Sequence, residues 1–106
     1  MANLSTLLFP ISAAITNTRG ASGGPVIAFT STSSAVLRPG NLNRKVLTIY
    51  NEGAGNLHIL YGDSTASTTN YSVKLFAGDY LEIDKYTGQV NAIFTATGTA
   101  RVTEIV

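Results

Sequence analysis

The chain of 106 residues contains no cysteine and one histidine. Without cysteine it has no disulfide bonds, no thiolate nucleophile and no sulfur-bound metal. Its six carboxylates are scattered along the sequence, and no group of residues combines a nucleophile, a base and an orienting acid. The sequence therefore favours a structural or binding role over catalysis, and we expect no cofactor and no metal.

Charge is also scarce, with 12% charged residues and a net charge of +1. A free monomer normally exposes about a quarter to a third charged residues, so part of this surface is expected to be covered by a partner. The weak net charge provides no long-range field for phosphates or anionic lipids. We expect neither nucleic acid nor membrane as a partner, and no apolar run approaches the roughly 18 residues of a spanning helix.

The composition divides the chain into an extended N-terminal arm, residues 1–24, and a single domain, residues 25–106. The arm mixes isolated apolar residues with Ser, Thr, Asn and Gly, a composition typical of flexible segments. It lacks the basic start of a signal peptide, so we interpret it as mature chain. Its apolar residues are predicted to bind partners: Leu4, Leu7, Leu8, Phe9 and Ile11.

The domain consists of short apolar runs separated by glycine-bearing turns, which predicts about eight strands. The runs are VIAFT, AVL, KVLTIY, LHILY, YSVKLF, YLEI, QVNAIFTA and ARVTEIV. Successive strands are expected to pair antiparallel, with residues 51–56 as a hairpin loop. The longest polar connection, residues 62–70, is expected to cross between sheets or to lie exposed at a rim.

Period-two alternation assigns a core face and an outer face to these strands. The predicted core positions are Leu47, Ile49, Leu57, Ile59, Tyr61, Tyr71, Val73, Leu75, Leu81, Ile83, Val90, Ala92, Phe94, Ala100 and Val102. The opposite face also has apolar residues: Val46, Tyr50, Leu60, Phe76, Ile93 and Ile105. The pattern predicts an all-β antiparallel sandwich, jelly-roll-like, rather than a small barrel. The apolar outer face indicates self-assembly or contact with another subunit.

Two sets of residues are candidates for chemistry. His58 has Asp63 nearby in sequence, but a position on a strand face at a rim or interface is favoured over catalysis. Glu82 and Asp84 share one strand face within the acidic run from Asp79. An outward polar face paired with Lys74 or Lys85 is favoured there over a calcium site, because calcium usually requires a wrapping loop.

The tyrosines and the basic residues near one turn are candidates for binding. Five tyrosines, at positions 50, 61, 71, 80 and 86, fit either a stacking platform for sugars or an anchor set for a protein interface, and about half are expected to be ordinary sheet residues. Arg38, Arg44 and Lys45 flank one turn, where a solvated rim is favoured over an acidic partner.

Three segments resemble a class of small all-β virion proteins of tailed bacteriophages. They are NRKVLTIYNEGAGNLHILYG, NYSVKLFAGDYLEI and YTGQVNAIFTATGTARVTEI, within about residues 41–106. The resemblance implies a capsid decoration or cement protein that bridges major capsid subunits, commonly as a trimer, on the head surface of particles made in the host cytoplasm. It also implies that the arm reaches neighbouring subunits.

Three other functions remain open from the sequence. A tail or connector component would share the fold and differ mainly in copy number. A glycan-binding module would use rim tyrosines and the loop 62–70. An enzyme that hydrolyses glycans would need two positioned carboxylates, for which Glu82 with Asp84 or Asp63 are the candidates.

Overall fold

The computed structural model describes residues 26–106, and they form eight β-strands. The strands are β1 Ile27–Phe29, β2 Ala35–Arg38, β3 Val46–Ala54, β4 Leu57–Tyr61, β5 Val73–Leu75, β6 Tyr80–Asp84, β7 Val90–Phe94 and β8 Gly98–Ile105. The predicted number of strands is confirmed. Within this part of the chain, no helix is long and apolar enough to span a membrane. The predicted arm, residues 1–24, lies outside the described residues.

The strands form two four-stranded sheets in which every pair is antiparallel. The first sheet has the order β1-β8-β3-β6 and the second has the order β2-β7-β4-β5. This interleaved order, in which the first strand pairs with the last, is that of a jelly roll. The prediction of an all-β, jelly-roll-like sandwich is therefore confirmed.

The connections differ from those that the sequence predicted. Only β4 and β5 follow one another within a sheet, and the other six connections pass from one sheet to the other. The segment 51–56 is therefore not a hairpin loop, because residues 51–54 belong to β3 and residues 55–56 turn from the first sheet to the second. Residues 62–70 join β4 to β5 and do not cross between sheets. Glycine and asparagine specify that the chain reverses, whereas the partner of each strand depends on contacts distant in sequence.

The core lies between the two sheets. Most predicted core positions are buried: Leu47, Ile49, Leu57, Ile59, Leu75, Ile83, Val90, Ala92, Phe94, Ala100 and Val102. Phe29 of the first sheet stacks on Phe94 of the second, with ring centroids 6.1 Å apart, and Val73 and Leu81 pack against the edge of the core. The core positions predicted for Tyr61 and Tyr71 are wrong, because both side chains are exposed.

One end of the sandwich, the ionic end, is closed by an arginine buried between the sheets. The Arg44 side chain donates through Nε to Glu104 Oε2 (2.7 Å), and Arg38 Nη2 donates to Glu104 Oε1 (2.9 Å). The other amino groups of Arg44 donate to the carbonyls of Pro39 (2.6 Å) and Gly88 (2.8 Å). Because Arg38 lies in the second sheet and Glu104 in the first, the ion pairs hold the sheets together.

The expectation of a solvated rim is wrong for Arg44, which is only 3% exposed. Its fork of donors meets carboxylate and carbonyl oxygens on several sides, which is the arrangement that makes burial of a guanidinium tolerable. Burial raises the pKa of the Glu104 carboxyl, but hydrogen bonds to Arg44 and Arg38 and their charges outweigh it, and the pKa lies below its ordinary value.

The opposite end, the neutral end, is closed by Asn51, which is fully buried. Its Nδ2 donates to the carbonyls of Gly55 (2.9 Å) and Leu75 (3.0 Å), and its Oδ1 accepts from the Gly53 backbone N–H (2.9 Å). Leu75 belongs to the second sheet, so one neutral side chain connects the sheets here. At this end the backbone of Ala96 packs closely against Gly55. A side chain at position 55 would prevent this contact, since its Cβ would overlap the Ala96 carbonyl oxygen.

Candidate interaction surfaces

His58 lies on the outer face of the second sheet and not at a rim. It is only 4% exposed, because the ring of Tyr71 stands edge-on against it with centroids 4.6 Å apart. Its cross-strand neighbours are Lys74 and Ile93. The Nδ1 atom of His58 has no hydrogen-bond partner among residues 26–106, so Asp63 does not orient the ring through this atom.

The surroundings of His58 favour its neutral form. Burial lowers the pKa of the imidazole, and the positive charge of Lys74 lowers it further. No described carboxylate forms an ion pair with this histidine; the ion pairs of residues 26–106 involve Glu52 and Glu104. The imidazole is therefore a packed side chain of the outer face whose neutral form is favoured.

The loop 62–70 folds over the same outer face of the second sheet. We call this surface the covered face. Its sheet residues are His58, Leu60, Asn91 and Ile93, and the loop and Tyr71 lie above them. Asn91 Nδ2 donates to the Ser64 carbonyl (2.6 Å), and the Ala66 N–H donates to Ser34 Oγ (2.9 Å). Ala66 and Asn91 are both buried. The chain thus covers part of the second sheet with its own polar loop.

Glu82 and Asp84 point outward from β6 on the first sheet, and both are exposed. Their predicted location on one strand face is confirmed by the register, which places Glu82 opposite Thr48 and Asp84 opposite Val46. The predicted pairing with Lys74 is wrong, because Lys74 lies in β5 of the other sheet. No cluster of three metal-ligating side chains occurs among the described residues.

The tyrosines occupy three separate places. Tyr71 covers His58. Tyr61 contacts Tyr86 with ring centroids 5.5 Å apart, and the Tyr86 hydroxyl donates to a backbone carbonyl at 2.9 Å. Tyr50 and Tyr80 are opposite one another on the outer face of the first sheet. Only this last pair presents two exposed aromatic side chains from adjacent strands.

The surface around this pair, which we call the tyrosine face, consists of two parallel rows. The first row runs across three strands as Arg101, Tyr50 and Tyr80, and the second as Thr103, Thr48 and Glu82. Tyr50 is 42% exposed and Tyr80 is 59% exposed. Glu52, at the margin, pairs with Arg101 at 3.1 Å, and both side chains are about half exposed.

Other apolar side chains are exposed around the sandwich. Val36 on β2 and Phe76 beside β5 are each about half exposed, and Leu42 is almost fully exposed. Phe76 carries the Lys74 ammonium 5.2 Å from its ring centroid. Of the outward apolar positions that the alternation predicts, Tyr50 and Phe76 are exposed. Val46 also lies on the outer face, opposite the exposed Asp84, although its own side chain is buried.

The partner-binding residues predicted in the arm, Leu4, Leu7, Leu8, Phe9 and Ile11, lie outside the described residues. Sequence reasoning missed the clustering of Tyr50 with Tyr80, because they are 30 positions apart in the numbering. The sequence did contain one signal. Tyr50 follows the inward position Ile49 and Tyr80 precedes the inward position Leu81, so the alternation places both tyrosines on the outer face. The missing information was the pairing of β3 with β6.

The sequence matches no known protein family and no curated protein at a significant level. A chain from the structure "Bacillus endospore appendages form a novel family of disulfide-linked pili" is similar in fold. It shares 13% sequence identity, over 80% of this chain and 88% of that chain, with a TM-score of 0.47. This likeness carries no conclusion about function.

Proposed function

We propose that this protein is a virion structural protein of a tailed bacteriophage, a capsid decoration protein that bridges and stabilises major capsid subunits. The observation that carries the proposal is the exposure of large apolar side chains outside the tyrosine face, including Val36 and Phe76, which are each about half exposed. Exposed apolar surface of this kind marks contact sites. The resemblance of residues 41–106 to phage virion proteins supports a tailed-phage particle as the assembly.

Two further features support an assembly role. Buried polar side chains connect the two sheets at both ends of the sandwich, Arg44 at one end and Asn51 at the other. The two sheets therefore form one stable domain on which the outer faces are displayed. Three of the four edge strands are short, with three residues in β1, four in β2 and three in β5, which limits uncontrolled edge-to-edge pairing. Such a scaffold suits a subunit whose contacts are made by its faces and by its arm.

The partners in this proposal are the major capsid protein and further copies of this chain, as a trimer on the head surface. Many weak contacts from one oligomer add through effective concentration. Ordering the arm costs conformational entropy, which burial of Leu4, Leu7, Leu8, Phe9 and Ile11 against a neighbour would offset.

The test is binding of purified protein to particles that lack it, measured by co-sedimentation. Deletion of residues 1–24 is expected to leave the unfolding temperature of the sandwich unchanged and to abolish stable binding to particles. The matched control replaces the exposed Leu42 by Ser, which removes an apolar side chain but leaves the arm. Undiminished binding of the deletion variant would contradict the role assigned to the arm, and absence of binding by the full chain would contradict the proposal itself.

A further inference from the structure

We propose that the tyrosine face is a binding site for a neutral saccharide. This inference goes beyond the structural role and does not depend on it. The site differs from the one that the sequence favoured for sugars, because the loop 62–70 lies on the other sheet and contacts Asn91. The argument starts from which aromatic side chains are free to stack.

Only two of the five tyrosines present free surface on adjacent strands. Tyr71 is engaged with His58, and Tyr61 and Tyr86 are engaged with one another. Tyr50 and Tyr80 are register partners, so their Cβ atoms are about 4.5–5.5 Å apart. Tyrosine combines an apolar ring face with a polar hydroxyl, which matches a sugar ring that has C–H groups on its faces and hydroxyls at its edge.

The row beside the tyrosines supplies hydrogen-bonding groups of both kinds. Thr48 and Thr103 have hydroxyls that both donate and accept, and the Glu82 carboxylate accepts. These three residues are paired across β8, β3 and β6. Sugar hydroxyls both donate and accept, so an aromatic row next to a hydroxyl and carboxylate row matches the two chemistries of one saccharide.

The charges on this face select against anionic ligands. Arg101 is already paired with Glu52 at 3.1 Å, which leaves Glu82 and Asp84 as exposed negative charges near the tyrosines. An anionic sugar or a phosphate would meet like charge here. A protein partner would also use tyrosine and arginine, but interface cores are depleted in Glu and Asp, so the exposed carboxylates favour a neutral polyol.

The experiment is an NMR titration of the full ¹⁵N-labelled chain with four oligosaccharides at millimolar concentration. The neutral probes are cellohexaose, hexa-N-acetylchitohexaose and maltohexaose, and the anionic probe is hexagalacturonate. We expect at least one neutral probe to shift the amides of Thr48, Tyr50 and Tyr80, and hexagalacturonate to bind much more weakly.

The variants Tyr50→Ala and Tyr80→Ala should each weaken binding of that probe by about tenfold or more. The matched control Phe76→Ala removes an exposed aromatic ring beside the second sheet and should bind the probe as the unchanged chain does. Dispersed spectra of all three variants establish that they fold.

Three results would overturn the proposal. The first is no shift with any neutral oligosaccharide, which would leave the tyrosine face as a surface for a protein. The second is binding that survives both tyrosine substitutions, and the third is equal binding of hexagalacturonate. None of these results depends on phage particles, so failure here is distinct from failure of the decoration role.

Discussion

The outer faces of the two sheets are treated differently by the chain. On the covered face, the loop 62–70 bonds to Asn91, and Tyr71 shields His58, so polar groups on the outside of a sheet are buried. On the tyrosine face, Tyr50 and Tyr80 remain exposed and no described hydrogen bond ties a loop across them. The difference indicates that the part of the second sheet under the loop and Tyr71 serves the stability of the fold, whereas the tyrosine face is available for contact.

The largest expected loss of stability lies at the ionic end. The losses expected for variants on the two faces are compared with it. Arg44→Met removes a guanidinium that joins both sheets and leaves the Glu104 carboxylate with Arg38 as its ionic partner. Removing one partner of a buried ion pair costs about 3–5 kcal/mol. Urea denaturation of Arg44→Met, with Arg101→Met as the exposed control, measures this cost. A change no larger than that of the control would contradict the structural role of Arg44.

A smaller loss is expected on the covered face. Asn91→Ala removes the amide that donates to the Ser64 carbonyl and accepts from Gln89 Nε2 (3.0 Å). Buried polar groups left without a partner cost about 1–3 kcal/mol. The matched variant on the tyrosine face, Thr48→Ala, should change the free energy of unfolding by within about 0.5 kcal/mol. If the two variants are equally destabilised in urea, the distinction between the faces does not hold.

The covered face should also make stability sensitive to mild acid. The pKa of His58 is lowered in the folded protein from 6.5 in the free side chain, so the unfolded chain binds the proton more readily. The stability that the neutral ring provides is therefore complete above pH 6.5 and declines as the pH falls below it towards the folded-state pKa. Urea midpoints should fall in this window for the unchanged chain and stay level for His58→Gln.

The ionic end should respond in a separate and more acidic window. The folded-state pKa of Glu104 is below 4.5, its ordinary value, so its contribution is present above pH 4.5 and is lost as the pH falls through the folded-state pKa. Glu104→Gln removes this second decline but keeps the first. A single decline that both variants abolish would mean that the covered face and the ionic end do not titrate independently.

The smallest effect is expected for the exposed ion pair of the tyrosine face. Arg101 and Glu52 lie 3.1 Å apart with both side chains about half exposed, and such pairs contribute about 0–1 kcal/mol. A double-mutant cycle with Arg101→Ala and Glu52→Ala should give a coupling energy at the low end of this range, which salt reduces further. A coupling above about 2 kcal/mol would show that this face is as structural as the covered one.

The strands and the core were predictable from sequence because both depend on local pattern. Leu47, Ile49, Leu57 and Ile59 alternate with outward residues, and period-two alternation alone places them inside. The strand pairing was not predictable, since the glycine turn after Asn51 has the same composition in a hairpin and in a corner between sheets.

Buried polar side chains were the other part that sequence reasoning missed. Arg44 and Asn51 are residue types that are mostly exposed, and their burial depends on partners far along the chain, Glu104 for Arg44 and Leu75 for Asn51. The tyrosine face was missed for the same reason, because Tyr50 and Tyr80 become neighbours only when β3 pairs with β6. Long-range pairing thus carries the information that local pattern lacks.

The measurement that tests the decoration role most directly is the copy number of this chain relative to the major capsid protein in purified particles of the phage that encodes it, by quantitative mass spectrometry. A decoration protein covers the shell, so the account predicts a copy number comparable to that of the major capsid protein. A handful of copies per particle would indicate the tail or connector instead, and absence from the particle would contradict the proposed function.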